Sequence, residues 1–186
     1  MGTAGAEALV TDVSVRPATA ADAEACRAVY APYVRETAVS FETEVPTTSQ
    51  MAGRIAHAHV WLVAERDGEV VGYAYAGEHR ERAAYRWTCE TSVYVARGCH
   101  RGGVGRALYR ELLVRVRERG YRLALAGVAL PNQASIGLHR SLGFVDVGVF
   151  HRIGQKLGAW HDVAWLELDL APEAEDGAGA KVPPPR

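Results

Sequence analysis

The chain predicts an α/β (α+β) domain, a mixed sheet with helices packed against it in the order β-α-α-β-β-β-α-β-α-β-β. Three observations carry this reading. Short blocks rich in β-branched and aromatic residues recur along the chain, bounded by Gly, Pro and Asp. Between them lie segments with apolar residues at helical spacing, most clearly Val104, Leu108, Leu112 and Val116. The 186 residues, 48% hydrophobic and 23% charged, suit one ordinary globular domain with a sizeable core. A dinucleotide-binding doubly wound sheet is excluded by the element order.

The elements follow in sequence. Val13–Arg16 alternates before Pro17 and reads as a first strand. Thr19 and Asp22 form a capping box that opens a helix through Ala25, Ala28 and Val29, which Pro32 is expected to interrupt or kink. A second helix starts near Thr48, with Met51 and Ile55 one turn apart. Asp67-Gly68 between Val60–Glu65 and Val70–Ala76 is a hairpin signal. Trp87–Val95 is a strand, followed by a glycine-rich loop and the Val104 helix, whose Arg115, Arg117, Arg119 and Arg122 read as a solvated end. Leu123–Leu130 is a strand, and Asn132–Leu142 a helix ended by Gly143. Val145–Phe150 and Trp160–Leu170 close the sheet around a Gly154/Gly158 turn. Residues 1–11 and 172–186 are small, polar and Pro/Gly-rich, and are expected to be disordered flanks of a domain spanning 12–171.

Charge and cysteines narrow the function. There are 21 basic and 22 acidic residues, for a net charge of −1. No broad nucleic-acid footprint follows from that balance. All basic residues except Lys156 and Lys181 are arginines, a residue suited to bidentate recognition of phosphate and carboxylate. Cys26, Cys89 and Cys99 are odd in number and widely spaced, which fits reduced thiols and gives no zinc site. His57 and His59 lack a third ligand nearby and read as surface residues; no metal is expected. With no apolar run of membrane length and no leader pattern, the expected location is cytoplasmic, away from membranes.

The glycine-rich segment His100-Arg-Gly-Gly-Val-Gly-Arg106 joins a strand to a helix. Its glycines allow backbone N–H groups to converge on an anion at the helix N-terminus, with Arg101 and Arg106 adding charge. Val104-Gly105 replaces the Lys-Ser/Thr of a Walker A loop, and Leu108 holds the place of the third dinucleotide glycine. What remains is a pyrophosphate nest of another kind or a plain helix-capping loop. Glu90, in Thr88-Cys-Glu-Thr-Ser92, sits one strand-length before this loop among apolar or neutral neighbours. Burial there would raise its pKa toward that of a useful general base, the alternative being a structural partner for an arginine. By alternation Cys89 points to the other sheet face.

Tyr94-Val-(x)5-Arg101-Gly-Gly-Val-Gly105 and Asn132-Gln-Ala-Ser-Ile136…Leu142-Gly-Phe144 resemble the two cofactor motifs of the GNAT superfamily of N-acetyltransferases. Trp61-Leu-Val-Ala-Glu65, Gly72-Tyr-Ala-Tyr-Ala-Gly77, Arg80-x-Arg82-x-Ala-Tyr85-x-Trp-Thr88-x-Glu90, Ser92-Val-Tyr-Val95, Leu130-Pro-Asn132, Leu138-His139 and Trp160-His-Asp-Val163 are similar to its phosphinothricin N-acetyltransferase family. The likeness covers about residues 13–170.

This resemblance implies a mostly antiparallel sheet of six to seven strands with about four helices, acetyl-CoA as co-substrate and a homodimer. It implies that Glu90 is the catalytic base and that His139 stands where many members carry the acid for the CoA thiolate. Val93, Tyr94, Val95, Arg101, Gly102, Gly103, Val104, Gly105, Arg106, Asn132 and Ser135 would bind the cofactor, with backbone N–H groups of Val93 to Val95 as oxyanion donors. Phe41, in Val39-Ser-Phe41-Glu-Thr-Glu44, would line the substrate site with Arg80, Arg82, Tyr85 and Thr91. His100 departs from the usual Gln or Arg, and Ala83 from a familiar Asn. His161 reads as structural. The implied reaction is direct acetylation of a small amino-acid analogue of phosphinothricin type. Methionine sulfoximine, methionine sulfone or another amino acid is the alternative substrate. Covalent catalysis by a cysteine, N-terminal acetylation of a protein and a non-catalytic acyl-CoA-binding module are further rivals.

Overall fold

A computed structural model describes residues 13–100 and 102–171. Arg101 and both expected flanks, 1–11 and 172–186, lie outside the described residues. The strands are β1 (Ser14–Pro17), β2 (Val60–Arg66), β3 (Glu69–Glu78), β4 (Thr88–Val95), β5 (Leu123–Ala129), β6 (Val145–Lys156) and β7 (Ala159–Asp169). The helices are α1 (Ala23–Glu36), α2 (Thr48–His57), α3 (Val104–Glu118) and α4 (Gln133–Ser141). Short 3₁₀ turns cover Ala20–Asp22 and Ala83–Tyr85. The strands form a seven-stranded sheet in the order β1-β2-β3-β4-β5-β7-β6. Of its pairings only β4–β5 is parallel. The expected class and mostly antiparallel sheet hold.

The sheet separates two cores. Val104, Leu108, Leu112 and Val116 of α3 pack with Leu62, Ala74, Ala126 and Leu166 on one face. On the other, Cys26, Val29, Tyr30 and Val34 of α1 and Met51 of α2 meet Trp61, Val63 and Tyr73. β2 is therefore apolar on both sides, and Val60–Ala64 is buried without a break. Each fully buried Leu or Val in these layers is worth about 1.5–3 kcal/mol against exposure. At the β2–β3 turn, Asp67 (φ 52°) and Gly68 (φ 82°) both adopt the left-handed conformation that a two-residue hairpin needs.

Two expectations change, and of the two readings of Pro32 the interruption falls. Helix α1 continues through Pro32 to Glu36, because Val34 lies buried on the same face as Val29 and Tyr30. Proline removes one backbone donor there, and the packed face on both sides outweighs that loss. Strand β6 runs on to Lys156, so Gly154 lies inside it and the turn is Leu157-Gly158. Residues 145–154 carry little buried surface, so alternation is a weak guide to where that strand ends. The arginines at the end of α3 are more than solvated charge. Arg117 Nε donates to Leu170 O at 3.0 Å, Arg119 donates to His59 O, and Arg115 pairs with Glu111 at 2.7 Å.

Candidate active site

Strand β4 organises the site. It pairs with β3 along Cys89–Val95, but with β5 only over Thr88–Glu90. Thr91 Oγ1 makes the last link, donating to Leu125 O at 3.0 Å, and beyond it the two strands part. Ala96 N–H donates to Val71 O at 2.8 Å. Backbone groups of alternate residues face opposite edges. It follows that the N–H groups of Val93 and Val95 face the gap, while that of Tyr94 faces β3. Tyr94 turns its ring to the α1 face, 4.8 Å from Tyr30 and 5.2 Å from Tyr33.

Glu90 projects from the same face of β4 as Tyr94, beside the segment that follows β3. His79 Nδ1 lies 2.6 Å from Glu90 Oε1. The imidazole packs edge-on against Tyr85 at 5.6 Å and Trp165 at 6.4 Å, and its Nε2 accepts from Arg80 Nε at 3.3 Å. Arg80 also stands 5.9 Å from the Tyr85 ring centroid. The chain thus brings together Glu90, Arg80 and Tyr85, with Arg82 exposed as the residue before the 83–85 turn. The expected apolar enclosure of Glu90 is not what forms: its side chain is 39% exposed, and its neighbour is a histidine. Thr91 is not brought to this group. Strand alternation sends its side chain to the α3 face, where it is buried.

The cradle for a cofactor anion lies where β4 leads into α3. Gly103 caps the helix with φ 77°, a left-handed backbone that glycine adopts without strain. The first helical bond is Ala107 N–H to Gly103 O at 2.9 Å. The N–H groups of Val104, Gly105 and Arg106 therefore have no acceptor within the helix. A Cβ on Gly105 would stand 3.3 Å from Leu138 Cδ2, and one on Gly102 would stand 3.0 Å from Arg66 Nη2. Arg66 escaped the sequence reading. Its Nε is buried without a hydrogen-bond partner among the described residues, beside a loop built to receive an anion. These features fit a pyrophosphate, with Gly102, Gly103, Gly105 and Arg66 as the residues that would hold it. Arg106 reaches sideways, donating to Ser141 Oγ at 2.9 Å and tying α3 to α4. Asn132 caps α4 through Ser135 N–H at 3.1 Å. His100 Nε2 lies 3.1 Å from both Val95 O and the Tyr33 hydroxyl, so the departure at His100 braces the end of β4.

His139 is 3% exposed. Its Nδ1 lies 2.7 Å from Ser135 O and its Nε2 lies 2.7 Å from the Tyr109 hydroxyl, which in turn reaches Thr91 Oγ1 at 3.2 Å. Burial pulls the His139 pKa down and pushes the Tyr109 hydroxyl well up. Tyr109, next to Leu108 on α3, carries no sequence signal that sets it apart from a core aromatic. The pairing becomes visible only when α3 and α4 lie side by side.

Phe41 sits on the β6–β7 hairpin, 6.2 Å from His161, with its ring against Gly154. Lys156, buried, donates from Nζ to Ser40 O at 2.5 Å and so fastens the Phe41 loop to that hairpin. His161 Nε2 donates to Lys156 O at 3.0 Å, which agrees with its structural reading. Cys89 is fully buried on the α3 side, and burial pushes its thiol up to about 12. His59 is buried against Tyr121 at 5.0 Å and corrects the expectation of a surface residue. Among the described residues no group of three or more His, Cys, Asp or Glu side chains could hold a metal, and no helix is long and apolar enough to cross a membrane.

Strand β4 thus parts from β5 beside a glycine-capped helix N-terminus that can receive an anion. The model of the acetyltransferase (GNAT) domain matches residues 15–165, and the chain belongs to this family. It is 39% identical to a phosphinothricin N-acetyltransferase of Streptomyces viridochromogenes, over 85% of this chain and 88% of that one. It is 38% identical to an L-methionine sulfoximine/L-methionine sulfone acetyltransferase of Pseudomonas aeruginosa, over 86% and 95%. A crystal structure of a phosphinothricin acetyltransferase from Sinorhizobium meliloti in complex with AcCoA superposes with a TM-score of 0.87 at 32% identity, covering 93% of this chain and 96% of that one. The protein is an N-acetyltransferase, and acetyl-CoA is its acetyl donor.

Proposed function

We propose that this enzyme transfers the acetyl group directly to the amino group of a small amino-acid analogue of phosphinothricin type, with Glu90 as general base. The observation that carries the reading is the placement of Glu90. It stands on the strand that leads into the anion cradle, with Arg80 and Tyr85 beside His79, the imidazole that bonds its carboxylate. An ammonium held there loses a proton to the carboxylate, leaving the nitrogen lone pair free to attack. Val93 and Val95 N–H groups, facing the gap, donate to the oxyanion as it forms. Arg80 and Arg82 meet the substrate's anionic groups and Tyr85 and Phe41 line its path, while Thr91, buried on the α3 face, takes no part in substrate binding. Arg101 adds positive charge at the pyrophosphate together with Arg66, Arg106 instead holds α3 to α4 through Ser141, and Asn132 and Ser135 border the cofactor from α4.

His139 serves the departing thiolate as a relay. Of the two protons the ammonium loses, one leaves through Glu90 and the other reaches the thiolate by way of His139, which burial returns to the neutral form between transfers. Direct transfer is supported by Cys89, whose buried thiol stays protonated at neutral pH and faces away from Glu90. The second reading, acetylation of methionine sulfoximine or sulfone, is favoured by the relative at 38% identity. A thiol-release assay compares kcat/KM on phosphinothricin, methionine sulfoximine, methionine sulfone and unmodified amino acids. The highest value on phosphinothricin supports the first reading. A higher value on either methionine compound replaces it with the second, and binding of acetyl-CoA without turnover on the whole panel contradicts both.

A homodimer in a reducing cytoplasm completes the reading. Edge strand β6 exposes Val145, Val147, Phe150 and Ile153, each more than half exposed, and the three cysteines are unpaired. Sedimentation at twice the chain mass supports the dimer, and sedimentation at the chain mass contradicts it.

A further inference from the structure

Among the described residues, His79 is the one group in direct contact with the proposed base that the acetyl transfer leaves without a role. It follows from no motif, it is largely enclosed with a side chain only 14% exposed, and it bonds the proposed base directly. We infer that His79 is a positioning residue for the acetyl transfer, one that dictates which oxygen of Glu90 receives the substrate proton.

The tautomer of His79 is fixed by its neighbours. Arg80 Nε lies 3.3 Å from His79 Nε2. A guanidinium only donates, so Nε2 must carry the lone pair and the neutral ring must carry its hydrogen on Nδ1. That hydrogen points at Glu90 Oε1, 2.6 Å away. One lone pair of Oε1 is thereby engaged and that oxygen made less basic, and Oε2 is left to take the proton from the ammonium. The bond survives the step. Once Oε2 is protonated, Oε1 is the carbonyl oxygen of the acid and still accepts from Nδ1–H. The ring cannot turn away easily, since Tyr85 and Trp165 both meet it edge-on, at interplanar angles of 81° and 75°. His79 therefore joins two parts of the site. One nitrogen orients the base, and the other holds Arg80 of the substrate clamp. The arrangement resembles the support that a catalytic group needs from its neighbours, whose loosening by about 1 Å costs on the order of 100-fold in rate.

This inference rests on Glu90 acting as the base, and the experiment separates the two claims. Turnover and KM for both substrates are measured for His79→Asn, His79→Leu and Glu90→Gln. Asn and Leu are close in size, so both variants lose the ring packing, but the Asn amide places an N–H donor near the position of Nδ1. We expect His79→Asn to keep kcat within about threefold of wild type and His79→Leu to lose on the order of 10- to 100-fold, with KM for acetyl-CoA unchanged in both. A His79→Leu enzyme as fast as His79→Asn, or equal losses in the two, overturns the positioning role. Glu90→Gln distinguishes the sources of failure. If it abolishes turnover while His79→Leu does not, only the role of His79 falls. If Glu90→Gln turns over normally, the base assignment falls first. His79→Phe restores an aromatic ring without the donor. Its loss of rate alongside a melting temperature near that of wild type supports the role, and a wild-type rate opposes it.

Discussion

His139 Nε2 and the Tyr109 hydroxyl lie 2.7 Å apart in a region that solvent does not reach. With Nδ1–H donated to Ser135 O, the neutral ring accepts from Tyr109 at Nε2. Burial lowers the His139 pKa in the folded state below its ordinary value of about 6.5. The unfolded chain then binds more protons below that pH, so stability is full above it and falls as pH drops through it. The urea midpoint should decrease from pH 7.5 to pH 5.5, and His139→Asn should flatten that slope. Tyr109→Phe should cost about 1–3 kcal/mol at pH 7.5, because it leaves buried polar partners unsatisfied. An unchanged slope in His139→Asn would place the titration elsewhere.

A second pair anchors the start of the sheet. Arg16 meets Asp22 at 2.7 Å and Glu65 at 2.5 Å. The Arg16 hydrogen bond pulls the Asp22 carboxyl down to about 2. That contribution is present above the ordinary aspartate pKa of about 4 and is lost as pH falls from there toward 2. Arg16→Met should destabilise the protein by about 1–3 kcal/mol at pH 7, since Asp22 stays buried without its partner, and by much less at pH 2.5. Thermal melts of both proteins at the two pH values test this. A penalty that does not shrink in acid contradicts it.

Gly154 and Phe41 offer a test of the substrate side. A Cβ at Gly154 would fall inside the van der Waals surface of the Phe41 ring. Gly154→Ala should displace Phe41 and raise KM for the amine several-fold, leaving KM for acetyl-CoA unchanged. Phe41→Ala should have a similar effect, and the double variant should be no worse than either single one. Steady-state kinetics of the three proteins decide it, and additive effects count against the contact.

The sequence makes this fold legible wherever the signal is local. Asp67-Gly68 sets its own turn, and Val104, Leu108, Leu112 and Val116 declare one helix face. Glycine spacing at Gly102–Gly105 likewise marks the cradle, because the constraint is on a few adjacent backbone angles. The parts that escape depend on residues distant in the chain. His79 looks like one more polar residue at a strand end until Trp165 of β7 and Tyr85 close around it. The exposure of Glu90 cannot be read from its apolar neighbours in sequence, since Cys89 and Thr91 point to the other face. His59 is buried against Tyr121, which is remote from it in sequence, and Gly154 reads as a turn residue because the packing of Phe41 on it is nonlocal.

Direct transfer needs Glu90 to take the ammonium proton. The most direct measurement is turnover of Glu90→Gln with phosphinothricin, alongside calorimetric binding of acetyl-CoA to the same protein. Glutamine keeps the shape of the side chain and removes its capacity to take a proton. The prediction is a kcat lower by about 10²–10⁴-fold with acetyl-CoA affinity unchanged. Turnover equal to wild type, with acetyl-CoA still bound, would contradict it.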